Sequence, residues 1–147
     1  MKKSKRLAPV RQIKQQEEKE AAQRLGEAQQ GLNAAIKQLQ ELQQYRQDYY
    51  ASLTEGREGS SSVPATSLEK YQLFLAKLNG VVERQQETVE QYKQHVDSHR
   101  KKWAEANARL KSIDELIDRA KLEETLFMDK QEQKSIDEQS QYRKRQW

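Results

Sequence analysis

The sequence lacks cysteine, has only two prolines and five glycines, and contains no long hydrophobic run. Without cysteine, the chain forms no disulfides, binds no iron–sulfur cluster through thiolates and performs no thiol catalysis. With few prolines and glycines, the residues that most often interrupt helices are rare. No apolar run approaches the roughly 20 residues that cross a bilayer, and the basic start is not followed by the apolar segment of a signal peptide. These absences predict a helical protein of the cytoplasm.

Large apolar residues are also scarce, because Leu, Ile, Val and Phe together occupy only 27 of 147 positions. A composition this poor does not build a broad globular core, so burial must be confined to a narrow seam. Disorder is the rival interpretation, since weakly hydrophobic chains often fail to fold. Disorder predicts no sustained periodicity, and the spacing of the apolar residues therefore decides between the two.

Charge is abundant but nearly balanced, with 27 basic and 23 acidic residues and a net charge of +4. This balance predicts no nucleic-acid partner. Basic residues concentrate at the termini, since residues 1–16 contain no acid and residues 143–145 are all basic. Such ends can bind phosphate, an acidic membrane surface or an acidic protein rim, or they can be solvated tails without a target.

One stretch, residues 56–65, combines glycine, serine and proline and interrupts the helical pattern strongly. We therefore predict a single domain over residues 1–147, with a first helix over about residues 10–55. The loop is expected over about residues 56–66, and a second helix over about residues 67–140.

Both predicted helices have apolar residues at alternating spacings of three and four, which keeps one seam facing a partner helix. Sixteen positions follow this spacing in the second helix, and fourteen are apolar or aromatic: Leu68, Tyr71, Leu75, Leu78, Val82, Gln85, Val89, Tyr92, Val96, His99, Trp103, Ala106, Leu110, Ile113, Ile117 and Ala120. The first helix has Leu25, Ala28, Leu32, Ala35, Leu39, Leu42, Arg46, Tyr49 and Leu53, of which only Arg46 is not apolar or aromatic. Two such seams predict an all-α fold, an antiparallel two-helix coiled-coil hairpin with a longer second helix.

The predicted helices differ in length. Folding the chain at residue 60 or 61 pairs Leu39 with Val82 and Leu25 with Val96, so a first helix starting near residue 10 reaches only about residue 111. The seam of the first helix also fails across residues 14–20. We therefore predict a firm coil near the loop, looser helix ends and an unpaired extension of the second helix. Its apolar residues would find no burial against the first helix: Ile113, Leu116, Ile117, Leu122, Leu126, Phe127 and Met128.

Tyr45, Phe74 and Val81 are large apolar residues that lie outside the seam on the half of the hairpin near the loop. They predict either a protein-docking patch or a local widening of the core. His95 and His99 have the spacing that places two imidazoles on one metal. His99 is a seam position, however, His95 lies at the edge of the same uninterrupted seam, and Val96 stands where a zinc protease has glutamate. No catalytic cluster, metal site or cofactor site is recognisable, and we expect no enzyme activity.

The sequence resembles the FliJ family, small coiled-coil components of the bacterial flagellar type III export apparatus. The resemblance runs from about Ala21 to Arg143. It rests on Arg24-Leu25-Gly26-Glu27, Gln38-Leu39, Leu42, Tyr45, Tyr49, Leu53, Tyr71-Gln72, Phe74, Leu78, Trp103, Leu110, Gln133-Lys134 and Asp137-Glu138. The aromatic residues outside the seam and the Gln-Lys-x-x-Asp-Glu tail are its most specific parts.

The resemblance implies a stalk that links the export ATPase ring to the cytoplasmic domain of the export gate and also handles substrate-specific export chaperones. It implies a cytoplasmic protein that associates peripherally with the inner membrane at the export apparatus and touches membrane only indirectly. The implied gate-binding residues are Gln38, Leu42, Tyr45, Tyr49, Phe74, Leu78, Val81 and Gln85. The expected ATPase-binding residues are Leu7, Val10, Ile13, Leu122, Leu126 and Phe127.

Two alternatives share this fold. One is the equivalent stalk of a virulence-type injection system, and the other is a general coiled-coil adaptor. A nucleic-acid-binding hairpin ranks below them, because the nearly balanced charge gives a weak nucleic-acid footprint. It would predict steeply salt-dependent binding through both basic ends, whereas the stalk predicts little.

Overall fold

The computed structural model describes residues 2–59 and 65–146. Two helices account for these residues except Lys2, with α1 over Lys3–Gly59 and α2 over Ala65–Gln146. The described ranges contain no strand, and the prediction of an all-α fold with a longer second helix is confirmed. Residues 60–64, the middle of the expected loop, lie outside the described residues, whereas 56–59 and 65–66 are helical.

The chain divides into two compact units, each built from a part of both helices. We call Gln23–Lys101 the central unit, and Met1–Ala22 with Lys102–Trp147 the terminal unit. The sequence alone predicted one hairpin domain with a firm coil near the loop and looser helix ends, and it did not predict a boundary at residues 22/23 and 101/102.

The helices of the central unit run antiparallel. Folding at residue 60 places Ala35 opposite Gln85, and the Gln85 side-chain amide donates a 3.0 Å hydrogen bond to the Ala35 carbonyl oxygen. Earlier in α1, Gly31 lies beside the Tyr92 ring, whereas later in α1 the Tyr49 ring contacts Phe74. Residue numbers therefore rise along one helix as they fall along the other, in the predicted register.

The predicted seam is the core. All nine seam residues of α1 are buried or half-buried, and so are fourteen of the sixteen in α2, while Tyr71 and Tyr92 are 39% and 38% exposed. Val82 is the most buried large side chain of the described residues, at 1% exposed. Burying an aliphatic side chain of this kind contributes roughly 1.5–3 kcal/mol before entropy is subtracted. Sustained burial at this spacing excludes the disordered alternative for these segments.

The helices of the terminal unit also run antiparallel, but polar contacts join them. The Trp103 indole N–H donates a 2.9 Å hydrogen bond to a Glu18 carboxylate oxygen, and Arg11 forms an ion pair with Asp114. The sequence predicted a failed seam over residues 14–20, and there α1 does present half-buried polar side chains, including those of Lys14 and Glu18. The α2 side supplies the apolar burial through Ala106, Ile117 and Ala120.

The expected start of the first helix near residue 10 was wrong. Pro9 lies inside α1, although proline removes an N–H donor and leaves the carbonyl of the residue four positions earlier without its helical partner. Contacts with α2 support the turns before it. The Ser4 N–H and hydroxyl donate 3.0 Å and 2.8 Å hydrogen bonds to the two oxygens of Glu124. A carboxylate there satisfies an orphan amide and complements the positive end of the helix dipole.

The earlier start of α1 shortens the predicted extension of α2. Contacts between the helices reach Met128, whose sulfur lies 3.9 Å from the Lys2 amine, rather than stopping near residue 111. Ile117 is therefore buried and Ile113 half-buried, contrary to the expectation for these two residues. The other five expected apolar residues are exposed, as predicted: Leu116, Leu122, Leu126, Phe127 and Met128.

Candidate protein-binding surfaces

The residues implied as gate-binding all lie in the central unit. Each set of four follows spacings of four, three and four, which places its members on one face of its helix: Gln38, Leu42, Tyr45 and Tyr49 on α1, and Phe74, Leu78, Val81 and Gln85 on α2. Gln38, Tyr45, Phe74 and Val81 are exposed, while Leu42, Tyr49 and Gln85 are half-buried. These two faces combine accessible apolar residues with seam residues.

An aromatic cluster forms the middle of this surface. The Tyr49 ring centroid lies 4.8 Å from that of Phe74 and 5.9 Å from that of Tyr71, and both pairs are tilted. Such tilted pairs are a favoured aromatic geometry. A cavity of about 340 Å³ opens beside the rings and is lined by Tyr49, Ser67, Lys70, Tyr71 and Phe74. We call these five residues the aromatic pocket.

The hydroxyl of Tyr49 is held in its neutral form. Partial burial among neighbouring rings raises its pKa above the ordinary tyrosine value, and the nearby Tyr71 and Tyr45 hydroxyls raise it further. Because a neutral phenol both donates and accepts hydrogen bonds, the Tyr49 hydroxyl adds a polar contact to the aromatic part of this surface.

Two members of the implied set contact the other residues of the coiled coil more than they face solvent. Leu78 is only 7% exposed and belongs to the core. The Gln85 side-chain amide donates its N–H to the Ala35 carbonyl oxygen. Tyr45 at 53% exposed and Phe74 at 40% remain accessible, although Phe74 also packs on Tyr49. The two interpretations of the off-seam residues are therefore not exclusive, since Phe74 both widens the core and faces solvent.

Sequence reasoning missed the other walls of the aromatic pocket. Tyr71 was assigned to the seam, and no binding role was predicted for Ser67 or Lys70, because they carry no apolar signal. Their position one turn from Tyr71 and Phe74 on α2 was the available clue, since residues three and four apart share a helix face.

The expected ATPase-binding residues lie in the terminal unit. Leu7 is half-buried, whereas Val10 and Ile13 are 37% and 57% exposed on α1. On α2, Leu122, Leu126 and Phe127 are all more than half exposed, and so is Met128, which the expected set omitted. Four exposed basic side chains lie near the start of α1: Lys2, Lys3, Lys5 and Arg6. The Lys2–Met128 contact brings the basic start of α1 beside the apolar residues of α2.

The histidine pair lies in the central unit, where the rings of His95 and His99 meet edge to face with centroids 4.5 Å apart. His95 is exposed and His99 is half-buried. Over residues 2–59 and 65–146, no three histidine, cysteine or acidic side chains cluster as a metal site would require. Neither helix carries, in its described part, a stretch long and apolar enough to cross a bilayer.

Comparison with known proteins points to one family. The family model described as "Flagellar FliJ protein" matches residues 2–146. The flagellar FliJ protein of Salmonella typhi is 28% identical over 132 residues, which cover 90% of this chain and 88% of that protein. The flagellar FliJ protein of Escherichia coli strain K12 is 27% identical over the same shares. Because the match spans both helices from end to end, the chain belongs to the flagellar FliJ family.

Proposed function

We propose that this FliJ-family chain is a component of flagellar protein export that links the export ATPase ring to the cytoplasmic domain of the export gate. It acts by binding proteins, and it performs no catalysis itself. The observation that carries the proposal is the exposed aromatic surface around Tyr45, Tyr49 and Phe74 on the central unit. The family match favours this flagellar role over an injection-system stalk or a general adaptor.

The aromatic surface is the proposed binding site for the gate. Protein interfaces are enriched in aromatic residues at their centres, where they bury a large area at a small cost in conformational entropy. Tyr45 supplies the most exposed ring of this set, and the pocket beside Tyr49 can receive an apolar side chain of the partner. Gln38 and Val81 complete the accessible part of the surface.

The terminal unit is the proposed binding site for the ATPase ring. Leu122, Leu126 and Phe127 expose apolar area that α1 does not cover, and the basic start of α1 adds positive charge suited to an acidic rim. Helix pairing within each unit supports a role as linker, because two packed helices resist bending better than one. Substrate-specific chaperones are further proposed partners, and the inner membrane is approached only through the export apparatus.

The gate assignment is tested with Tyr45→Ala combined with Phe74→Ala. Binding of the purified gate cytoplasmic domain should fall at least about tenfold, since removing central interface anchors commonly costs ~2 kcal/mol or more. Leu73→Ala is the matched control, because Leu73 is 64% exposed on the same helix but lies outside the proposed surface. Unchanged gate binding by the double variant, with helicity preserved in circular dichroism, would reject the assignment.

The ATPase assignment is tested separately with Leu126→Ser combined with Phe127→Ser. Pull-down of the export ATPase should be lost while gate binding persists. Leu116→Ser is the control, since Leu116 is also exposed on this part of α2 but is not in the proposed set. If the ATPase binds the double variant as well as it binds the parent protein, the terminal unit is not its site.

A further inference from the structure

A second pocket in the central unit is polar. It has a volume of about 400 Å³ and is lined by Gln43, Arg46, Gln47, Tyr50 and Asn79. It shares no residue with the aromatic pocket or with the proposed gate-binding set. No lining residue is acidic, and every one of them carries at least one N–H or O–H donor. We call these five residues the polar pocket.

Arg46 is the unusual member of this pocket, because it occupies a seam position that is apolar or aromatic at the other eight α1 positions. Its side chain is half-buried, and Nη1 donates a long 3.3 Å hydrogen bond to the Asn79 side-chain oxygen. No described carboxylate lies within ion-pair distance of it. A partly desolvated charge with only a neutral partner is unfavourable. A leucine at this position would stabilise the coiled coil more than the arginine does. The stability of the coil therefore does not explain why arginine is present.

The donors of the pocket suit a carboxylate. Guanidinium presents a planar fork of N–H groups that matches the two oxygens of a carboxylate, and the resulting charge-assisted bonds are short and strong. The side-chain amides of Gln43, Gln47 and Asn79 can donate to the lone pairs that the guanidinium leaves unfilled. The single positive charge in the lining matches one carboxylate better than it matches a phosphate group of nearly two negative charges.

We propose that the polar pocket binds an aspartate or glutamate carboxylate from an acidic peptide segment of a partner protein, with Arg46 as the charged anchor. This site is independent of the proposed gate and ATPase surfaces, so either proposal can fail alone. The bound carboxylate supplies a counter-charge that no described side chain provides to Arg46.

The test is nuclear magnetic resonance of the full-length chain, following the Arg46 Nε–Hε signal and the side-chain amides of Asn79 and Gln43. The probes are an acetylated tetraglutamate peptide, its tetraglutamine counterpart and inorganic phosphate. We expect saturable shifts of these signals with tetraglutamate and none with tetraglutamine. Phosphate should bind more weakly than tetraglutamate.

Three variants complete the test. Arg46→Gln should weaken tetraglutamate binding about tenfold or more, because it removes the charge-assisted bonds. Arg46→Lys should weaken it less, since it keeps the charge but loses the fork. Arg84→Gln is the control that removes an exposed arginine elsewhere on α2 and should bind like the parent chain. Thermal unfolding checks that each variant is folded. The proposal is overturned by the absence of saturable shifts, by equal weakening in Arg84→Gln, or by phosphate binding at least as tightly as the peptide.

Discussion

At the scale of single residues, one close contact between the two helices of the central unit depends on a glycine. A Cβ built at Gly31 would lie 3.0 Å from Tyr92 Cε1 and 3.3 Å from Cδ1, closer than side chains normally pack. The Tyr92 ring therefore lies directly against the α1 backbone at that point. At Gly26, by contrast, an added Cβ meets nothing within 4 Å.

These two glycines predict different effects of the same substitution on the free energy of unfolding. Gly26→Ala should raise the free energy of unfolding by roughly 0.5–1 kcal/mol, because alanine loses less backbone entropy in a helix. Gly31→Ala should gain less or should destabilise, because the Tyr92 ring must move away. Chemical denaturation measures both. In a Tyr92→Ala background the two substitutions should become equally stabilising, and a persistent difference would contradict the packing argument.

Arg46 predicts a gain in stability upon its removal. Arg46→Leu completes the apolar seam of α1 and removes a half-buried charge that makes no ion pair with a described carboxylate, so the melting temperature of the isolated protein should rise. Leu42→Arg is the opposite change at another half-buried seam position and should lower it. A lower melting temperature for Arg46→Leu would show that the arginine stabilises the coil.

At the scale of helices, the start of α1 depends on a carboxylate of α2. The backbone and hydroxyl hydrogen bonds from Ser4 lower the pKa of Glu124 below the ordinary glutamate value, and nearby Lys2 and Lys121 lower it further, although partial burial opposes the shift. A folded-state pKa below the unfolded one means that ionised Glu124 stabilises the fold above its ordinary pKa. That contribution disappears as the pH falls through the lowered value.

The expected result is therefore a pH-dependent difference between the parent chain and Glu124→Gln. The parent should be the more stable near neutral pH, and the difference should shrink as the pH falls below the ordinary pKa of a glutamate. Thermal unfolding at a series of pH values measures it. Glu123 is exposed, so Glu123→Gln is the control variant. An equal pH-dependent loss of stability in this control would contradict a specific role of Glu124.

The two parts of α1 should also differ in local stability. Residues 3–22 face α2 largely through polar groups such as Arg11 and Glu18, whereas residues 25–49 bury Ala28 and Ala35. Since opening energies follow the apolar contacts that break, amide hydrogens of residues 10–22 should exchange faster than those of residues 28–46. Hydrogen exchange read by mass spectrometry measures this. Equal protection in both segments would show that the polar contacts are as stabilising as the apolar seam.

At the scale of the whole chain, the sequence predicted the fold class and the register, because the spacing of Leu68 through Ala120 determines which face is buried. It misplaced the start of α1, because Pro9 and the polar run after it oppose helix locally, whereas the stabilising Ser4–Glu124 contact joins residues far apart in sequence. The accessible aromatics Tyr45 and Phe74 were identified from their off-seam positions. The polar pocket was not predicted, because Asn79 meets Arg46 only once the register is known.

Charge balance makes a prediction for the whole chain. With a net charge of only +4 and acids spread along both helices, the chain should bind DNA and RNA negligibly at about 150 mM salt. Fluorescence anisotropy with labelled single- and double-stranded oligonucleotides measures this. Tight binding that weakens steeply with added salt would instead favour the nucleic-acid hairpin.

The Gly31–Tyr92 contact finally constrains how this coil can change during evolution. A larger residue at position 31 becomes acceptable only after the ring at position 92 has shrunk or turned away. Tyr92, in turn, can mutate first without penalty from the glycine. Related sequences should therefore rarely combine a bulky residue at both positions, and those with a bulky residue at position 31 should have a smaller or reoriented side chain at position 92.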